Sequence, residues 1–224
     1  MKQYSQIDPQ QFVSLVRMPL EQNDTATLVR LVQEYWSQEQ IQSLLDSDCA
    51  DARKLAALAL GVIGDGRSIT ALATCLRDRD PMVNQMAEHA LWTIWFRCGN
   101  KPAQEALVRG SGLINSKQFK QALEEFDAAI RLDPIFAEAF NQRAIAHYLV
   151  EDYHASIEDG EMTVQLMPSH FGAWAGLGHC YAHLGDAQRA LNCYRRALGI
   201  NPYLSCIRQI IGEIAAGECT PLPG

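Results

Sequence analysis

The sequence lacks the signatures of membrane and secreted proteins. No window holds 18 uncharged apolar residues in succession, so no membrane span is expected. Residues 1–9 are polar and lack the apolar stretch of a secretory signal. We therefore expect a soluble, cytoplasmic protein that does not contact a membrane.

Clustered positive charge and paired cysteines are also missing. The 19 Lys and Arg residues are scattered among 26 Asp and Glu residues, and the net charge is −7. Nucleic-acid binding normally needs clustered cations to displace counterions from phosphates, so no nucleic-acid partner is expected. The seven cysteines form no Cys-x-x-Cys pair, which argues against a zinc ribbon or a thioredoxin-like site. We expect most of them to be small buried apolar residues.

The common catalytic motifs are missing as well. The sequence has no Gly-x-x-x-x-Gly-Lys-Ser/Thr, Gly-x-Gly-x-x-Gly or Gly-x-Ser-x-Gly stretch. His179 and His183 lie four residues apart, beside Cys180, and such a pair can chelate a metal. A zinc site needs three or four ligands, and the sequence places no third one. The alternative is that both imidazoles line a surface. We expect no catalytic group, no cofactor and no metal site.

What the sequence does contain is a repeated stop signal. Pro134, Pro168 and Pro202 are 34 residues apart, and each closes a similar apolar segment. Proline ends a helix because it lacks an amide donor and clashes with the preceding turn. A stop at a fixed interval predicts one supersecondary unit repeated three times, at residues 103–136, 137–170 and 171–204.

These units resemble tetratricopeptide repeats. The third unit carries the pattern almost completely, with Trp174, Leu177, Gly178, Tyr181, Ala190, Tyr194, Ala197 and Pro202. In the second unit Ser156, Gly160 and Thr163 depart from the pattern, and a glycine inside a helix predicts loosening there. The resemblance implies an all-α fold, an α-solenoid of antiparallel helix pairs. Residues 205–224 would then supply a capping helix and a tail.

The N-terminal half carries a different periodicity. Residues 45–64 can be laid over 76–95 at an offset of 31, and helices are predicted at 25–36 and 41–45. Gly61 predicts a close helix approach, and Gly64 a left-handed helix exit. The stretch 51–65 resembles the short HEAT-type repeats of phycobilin-lyase-like proteins. We expect a capping segment at 1–24 and HEAT-like repeats at 25–100.

The tetratricopeptide resemblance implies that the first helix of each unit lines a concave groove. An extended peptide or a helix would bind there by burial and by hydrogen bonds to asparagine side chains. The resemblance places the following residues in this groove: Gln104, Leu107, Ser111, Asn115, Glu138, Asn141, Ile145, Tyr148, Leu149, Ala175, His179 and His183.

The function expected from this resemblance is a non-enzymatic scaffold that binds a protein or peptide partner. Tetratricopeptide domains that bind the acidic tails of chaperones carry cations in the groove. The matching positions here are Leu107, Ser111, Gln142, Gly172 and Gly176. Without a cation to pair with a terminal carboxylate, chaperone tails are expected to be unlikely partners.

Three alternatives remain open. The HEAT-like stretch is compatible with an enzyme or accessory factor that handles a tetrapyrrole, as phycobilin lyases do. The array could also self-associate through an exposed end. The aromatic run Trp92, Trp95 and Phe96 is either a docking patch or, as we favour, packing at the junction between the repeat types.

Overall fold

In the computed structural model, residues 7–216 are described, and all regular secondary structure in that range is helical. This confirms the all-α prediction. The chain divides into two compact units, Met1–Trp95 and Phe96–Gly224. None of the helices in the described range is both long enough and apolar enough to cross a bilayer.

The first unit contains six α-helices within its described residues. They are α1 Pro9–Glu21, α2 Thr25–Tyr35, α3 Gln38–Ser43, α4 Ala50–Ile63, α5 Ile69–Cys75 and α6 Pro81–Trp95. Two 3-10 turns, Leu44–Asp46 and Gly66–Ser68, precede α4 and α5. Asp24 caps α2 because its carboxylate accepts a hydrogen bond from the amide of Thr27 at 3.0 Å.

The offset of 31 residues corresponds to the packing of α4 against α6. A Cβ on Gly61 would lie 3.1 Å from the Cα of Ala90, so the predicted close approach is confirmed. The left-handed exit at Gly64 is wrong, because its φ is −70° and its ψ is 162°. Glycine is needed there for another reason, since a Cβ on it would collide with the carbonyl oxygen of Leu60.

A buried ion pair joins the start of α4 to the turn before α6. Arg53 donates from Nε and Nη2 to the two carboxylate oxygens of Asp78, at 2.8 and 2.9 Å. Its Nη1 donates to the carbonyl of Ser47 at 2.8 Å. Burial would raise the pKa of Asp78, but the hydrogen bonds from Arg53 and from the amide of Asp80 hold that pKa below its ordinary value.

The second unit contains three helix pairs and a final helix within its described residues. They are α7 Lys101–Asn115, α8 Phe119–Leu132, α9 Ala137–Leu149, α10 Tyr153–Leu166, α11 Phe171–His183, α12 Ala187–Ile200 and α13 Ser205–Ala216. The second helices begin at 119, 153 and 187, so the 34-residue period is confirmed. Ile207 of α13 is buried in the cluster formed by the last pair. Cys219 and the predicted tail lie outside the described residues.

Glycine sets the distance between the helices of the first and third pairs. Gly110 of α7 faces the ring of Phe126 in α8, and Gly178 of α11 faces the ring of Tyr194 in α12. A Cβ at either glycine would overlap the ring. Gly160 has the same role between the second and third repeats, since a Cβ there would lie 2.8 Å from the side chain of Leu177. The glycine that departs from the repeat pattern therefore leaves space for a side chain of the next repeat.

Substitution of Gly178 tests this packing. Gly178→Ala is expected to lower the free energy of unfolding by roughly 1–2 kcal/mol, because the overlap with Tyr194 outweighs the gain in helix propensity. Gly176→Ala is the matched control in the same helix, since no atom lies within 4 Å of a Cβ there. It is expected to raise the stability by about 0.5–1 kcal/mol. Urea unfolding followed by circular dichroism measures both, and equal effects of the two variants would contradict the packing.

The cysteine prediction holds for half of the described set. Cys75, Cys180 and Cys193 are buried, Cys49 is half-buried, and Cys98 and Cys206 are exposed. Burial raises the pKa of Cys75 and of Cys193 to about 11. Those two thiols therefore stay protonated and unreactive at neutral pH.

Candidate functional site

The twelve predicted groove residues differ in their exposure to solvent. Leu107, Glu138 and Asn141 are buried, so a peptide cannot reach their side chains without rearrangement. The others are half-buried or exposed: Gln104, Ser111, Asn115, Ile145, Tyr148, Leu149, Ala175, His179 and His183.

Glu138 is the centre of a buried polar network between α9 and α11. Its Oε1 accepts hydrogen bonds from the amides of Asn141 at 3.1 Å and Gln142 at 2.7 Å. Its Oε2 lies 2.9 Å from Nε2 of His170. The other ring nitrogen of His170 accepts from the amide of Ala173 and so caps α11. The Asn141 amide expected to bind a peptide backbone is therefore engaged inside the protein.

Two more predicted groove residues also bond locally. The side-chain amide of Gln104 donates to the carbonyl of Arg97 at 2.9 Å, and the hydroxyl of Ser111 donates to the carbonyl of Leu107 at 2.9 Å. Each side chain therefore hydrogen-bonds the backbone of its own helix or of the segment that precedes that helix. Among the predicted groove residues of α7, Asn115 is the exposed one.

Five rings cluster where α9 and α11 meet their second helices. Tyr153 stacks on His183 with the ring centroids 4.7 Å apart, and Tyr148 meets both rings edge-on. Tyr194 meets His179 edge-on at 5.4 Å. The sequence analysis placed Tyr148, His179 and His183 in the groove but not Tyr153 or Tyr194, because it assigned only residues of first helices to the groove. The sequence signal that could have identified these two residues is the aromatic residue at the start or in the middle of each second helix.

Each imidazole of the candidate metal pair bonds a tyrosine instead. The hydroxyl of Tyr148 lies 2.8 Å from Nε2 of His183, and the hydroxyl of Tyr194 lies 2.9 Å from Nδ1 of His179. Burial and the neighbouring His183 lower the pKa of His179 below its ordinary value of 6.5. Among the described residues, no group of three or more His, Cys, Asp or Glu side chains is placed to hold a metal ion.

Two apolar side chains of α9 lie within one helical turn of Tyr148. Ile145 and Leu149 of α9 are 38% and 41% exposed, on the turns of the helix that carry Tyr148. We call the following residues the first-helix face: Ser111, Asn115, Ile145, Tyr148, Leu149, Ala175, His179 and His183. These eight residues include no carboxylate, lysine or arginine, and their only basic groups are the two imidazoles.

A cleft of about 910 Å³ lies on another surface of this unit, between α10 and the start of α12. Its polar groups are partly paired: the hydroxyl of Tyr181 donates to Glu161 at 3.0 Å, and Arg189 lies over the ring of Tyr181. The cleft gives a second surface against which binding at the first-helix face can be tested.

The aromatic run at 92–96 is packed. Trp95 is fully buried and meets Trp92 edge-on at 4.9 Å. Phe96 packs, partly buried, against the cluster around Phe126 in the second unit. Burial of this kind supports packing over a docking patch.

Comparison with known proteins identifies one of the repeats directly. Residues 172–204 match the family model of the tetratricopeptide repeat. They comprise most of the third predicted unit, which carries the fullest repeat pattern. This segment is therefore similar to a tetratricopeptide repeat, and the HEAT-like resemblance of residues 51–65 stays a prediction.

Two curated relatives each match about half of the chain. A TPR repeat-containing protein of Rhizobium etli is 29% identical over 126 residues, which are 56% of this chain and 62% of that protein. The Hsp70-Hsp90 organizing protein of Triticum aestivum is 30% identical over 45% of this chain and 17% of its own length. The chain thus spans less than two thirds of either relative.

A solved structure shares the fold. The first TPR domain of Spaghetti (RPAP3), bound to the HSP90 peptide SRMEEVD, superposes with a TM-score of 0.52 at 18% identity. The match covers 54% of this chain and 95% of that domain. Together with the wheat relative, this complex runs against the expectation that chaperone tails are unlikely partners. We no longer hold that expectation.

Proposed function

We propose that the second unit is a protein-interaction scaffold, and that its first-helix face binds an extended peptide segment of a partner. The observation that carries this proposal is the cluster of Tyr148, Tyr153 and His183 beside the exposed Ile145 and Leu149. Rings and aliphatic side chains that meet solvent together are typical anchors of an interface.

The chemistry of the face supports an extended segment as the ligand. The rings and aliphatic groups can bury apolar side chains of a peptide, and Asn115 can hydrogen-bond its backbone. The tetratricopeptide repeat at 172–204 and the likeness of fold to a domain with a bound peptide support the same reading. Glu138 and Asn141 are buried and would not contact the peptide directly. Their hydrogen-bond network connects α9 to the start of α11.

We propose the domain limits with this function: a capping segment at 1–24, HEAT-like repeats at 25–100, three tetratricopeptide units at 103–204, and a capping helix after them. Self-association through an end of the array stays a prediction.

The tetrapyrrole-handling alternative depends on the HEAT-like stretch alone. Charged residues that carry that resemblance form ion pairs with other residues of the first unit, Asp51 at its surface and Arg53 in its interior. Asp51 pairs with Arg17 and Lys54, both at 2.7 Å, and Arg53 pairs with Asp78. Since these contacts give Asp51 and Arg53 a structural role, we do not propose this function.

Selection of ligands from a random peptide library displayed on phage, followed by affinity measurement, tests the proposed function. The double variant Ile145→Ser, Leu149→Ser is expected to weaken the selected peptides by at least roughly tenfold, because two exposed apolar anchors are removed. Both side chains are partly in solvent, so folding is expected to be largely preserved.

The matched control is Leu132→Ser, which removes an apolar side chain, 48% exposed, from the end of a second helix. Selected peptides are expected to bind this variant as they bind the parent protein. Equal affinity for the double variant and the parent would show that the peptides bind elsewhere and would contradict the proposal.

A further inference from the structure

A pocket of about 470 Å³ adjoins the first-helix face at the turn between α7 and α8. It is lined by Lys117, Gln118, Phe119, Lys120, Gln121 and Val150. Val150 directly follows Leu149, and Lys117 lies two residues after Asn115, so two members of the face lead into the pocket. A peptide that lies on the face and continues past Leu149 would therefore reach it.

Lys117 and Lys120 give this pocket a positive charge. Both side chains are exposed, and within the described part of the chain neither forms a hydrogen bond or an ion pair. The other lining residues named above carry amide or apolar side chains. The two ammonium groups are therefore available to a carboxylate of a ligand.

The three helix pairs share one backbone conformation at an equivalent position of this turn. The φ angle is 58° at Lys117, 63° at Glu151 and 76° at Gly185, and these residues are 34 positions apart. The position thus carries a cation in the first pair, a carboxylate in the second and no side chain in the third. Its positive charge is confined to the first pair.

The next residue of the turn differs in the same way. Asp152 accepts a hydrogen bond from the amide of Ala155 at 3.1 Å and caps α10. Asp186 accepts one from the amide of Arg189 at 2.9 Å and caps α12. The equivalent residue in the first pair is Gln118, which has no charge. The first pair therefore lacks the carboxylate that the other two pairs place at this position.

Building on the proposed peptide-binding function, we propose that the peptide carries Asp or Glu side chains beside its apolar anchors, and that Lys117 and Lys120 bind those carboxylates. The apolar residues of the peptide pack against Ile145 and Leu149, and its acidic residues extend into the pocket. The lysines thus select among apolar peptides by charge.

Glu151 fixes which end of the face receives the acidic residues. It directly follows Val150, on the side of the pocket toward the second helix pair. Its carboxylate would repel an acidic residue of the peptide placed over that pair. The acidic end of the peptide therefore lies over the first pair, at Lys117 and Lys120.

The two lysines lie outside the positions at which chaperone-binding tetratricopeptide domains carry cations. Those positions lie within first helices, and in this chain they hold Leu107, Ser111, Gln142, Gly172 and Gly176. Lys117 and Lys120 lie instead at the turn into a second helix. They are placed for side-chain carboxylates at the margin of the face, and not for a terminal carboxylate within the groove.

Selection from a random peptide library on the full chain tests this assignment. Asp and Glu are expected to be enriched at least about twofold over the unselected library, next to the apolar residues of the selected peptides. The net charge of −7 on the chain repels acidic peptides, so such enrichment needs a local cause. The double variant Lys117→Glu, Lys120→Gln should lose it. Glu151 and Gln188 already stand at the equivalent positions of the other pairs, so folding is expected to be preserved, and circular dichroism checks this.

Fluorescence anisotropy then compares a selected peptide with a form whose Asp and Glu residues are replaced by Asn and Gln. The replacement is expected to weaken binding about fivefold for the parent protein and less than about twofold for the lysine variant. Added salt should reduce the difference seen with the parent, because exposed charges are screened. The control Lys101→Gln, Arg131→Gln removes two exposed cations from the opposite ends of α7 and α8 and should behave like the parent.

Selected peptides without acidic enrichment, or equal discrimination by the parent and the lysine variant, would overturn the inference. The proposed function survives either result if the peptides still lose affinity for Ile145→Ser, Leu149→Ser. A selection on the parent protein that yields no binding peptide would overturn both proposals.

Discussion

Replacing Glu138 with leucine is expected to lower the free energy of unfolding by about 3–5 kcal/mol. Glu138 is 1% exposed and accepts hydrogen bonds from Asn141, Gln142 and His170, which are also buried. Leucine would fill the space but accept nothing. Three buried side chains would each lose the hydrogen bond that they make with Glu138, and a buried group left unsatisfied costs about 1–3 kcal/mol.

Urea unfolding followed by circular dichroism measures the loss, and hydrogen exchange locates it. Amides of α9 and of the first turn of α11 are expected to exchange faster, because His170 caps α11 while bonded to Glu138. Glu124→Leu, an exposed position on α8, is the matched control and should change stability by less than about 0.5 kcal/mol. A loss below about 1 kcal/mol for Glu138→Leu would contradict the role assigned to the network.

Replacing Arg53 with methionine is expected to lower the stability of the first unit by about 3–5 kcal/mol at neutral pH. The guanidinium forms two hydrogen bonds to Asp78 and also bonds the carbonyls of Ser47 and Asp48. Methionine keeps the aliphatic volume but removes both hydrogen bonds of Arg53 to the largely buried carboxylate of Asp78. Hydrogen exchange should accelerate in α4 and α6 and stay unchanged in α9.

The pH dependence of this effect has a defined sign. The pKa of Asp78 is held below its ordinary value of 3.8, so the pair contributes stability above that pH and loses it as pH falls further. In Arg53→Met the carboxyl group of Asp78 loses the hydrogen bonds and the charge of Arg53, so its pKa rises. The difference between parent and variant should therefore narrow as pH falls toward and below 3.8. Arg30→Met, at an exposed position on α2, is the control. A difference that widens in acid would contradict the assignment.

The repeat period and the helix pairs of the second unit were predictable because they depend on local rules. Proline stops at 134, 168 and 202 fall in turns, and Gly178 sits where a ring of the partner helix needs space. These signals act over one turn or one helix pair. The buried positions of the repeat follow from the same spacing.

The exposure of the groove residues was not predictable from spacing alone. Asn141 has the position of a peptide-binding residue in the repeat, but its amide is taken by Glu138, whose other partner is His170. That network depends on residues separated by 32 positions, which a single-helix pattern cannot show. Tyr153 was not predicted for the same reason, because it contacts residues of this face from a second helix and a single-helix pattern does not show such a contact.

The conformation at Gly64 shows a different limit. Glycine after a helix favours a left-handed exit, but here the chain leaves in an extended conformation with φ of −70°. The carbonyl of Leu60 leaves no space for a side chain at this position. Glycine is therefore required here for steric reasons and not for a left-handed backbone conformation. Composition cannot separate these two causes.

Methyl NMR spectra of the full chain, titrated with a library-selected peptide, test the central claim most directly. The account predicts that shifts concentrate on Ile145, Leu149 and Ala175, the methyl-bearing residues of the first-helix face. Shifts confined to Ile157 and Leu184, which line the cleft between α10 and α12, would contradict it.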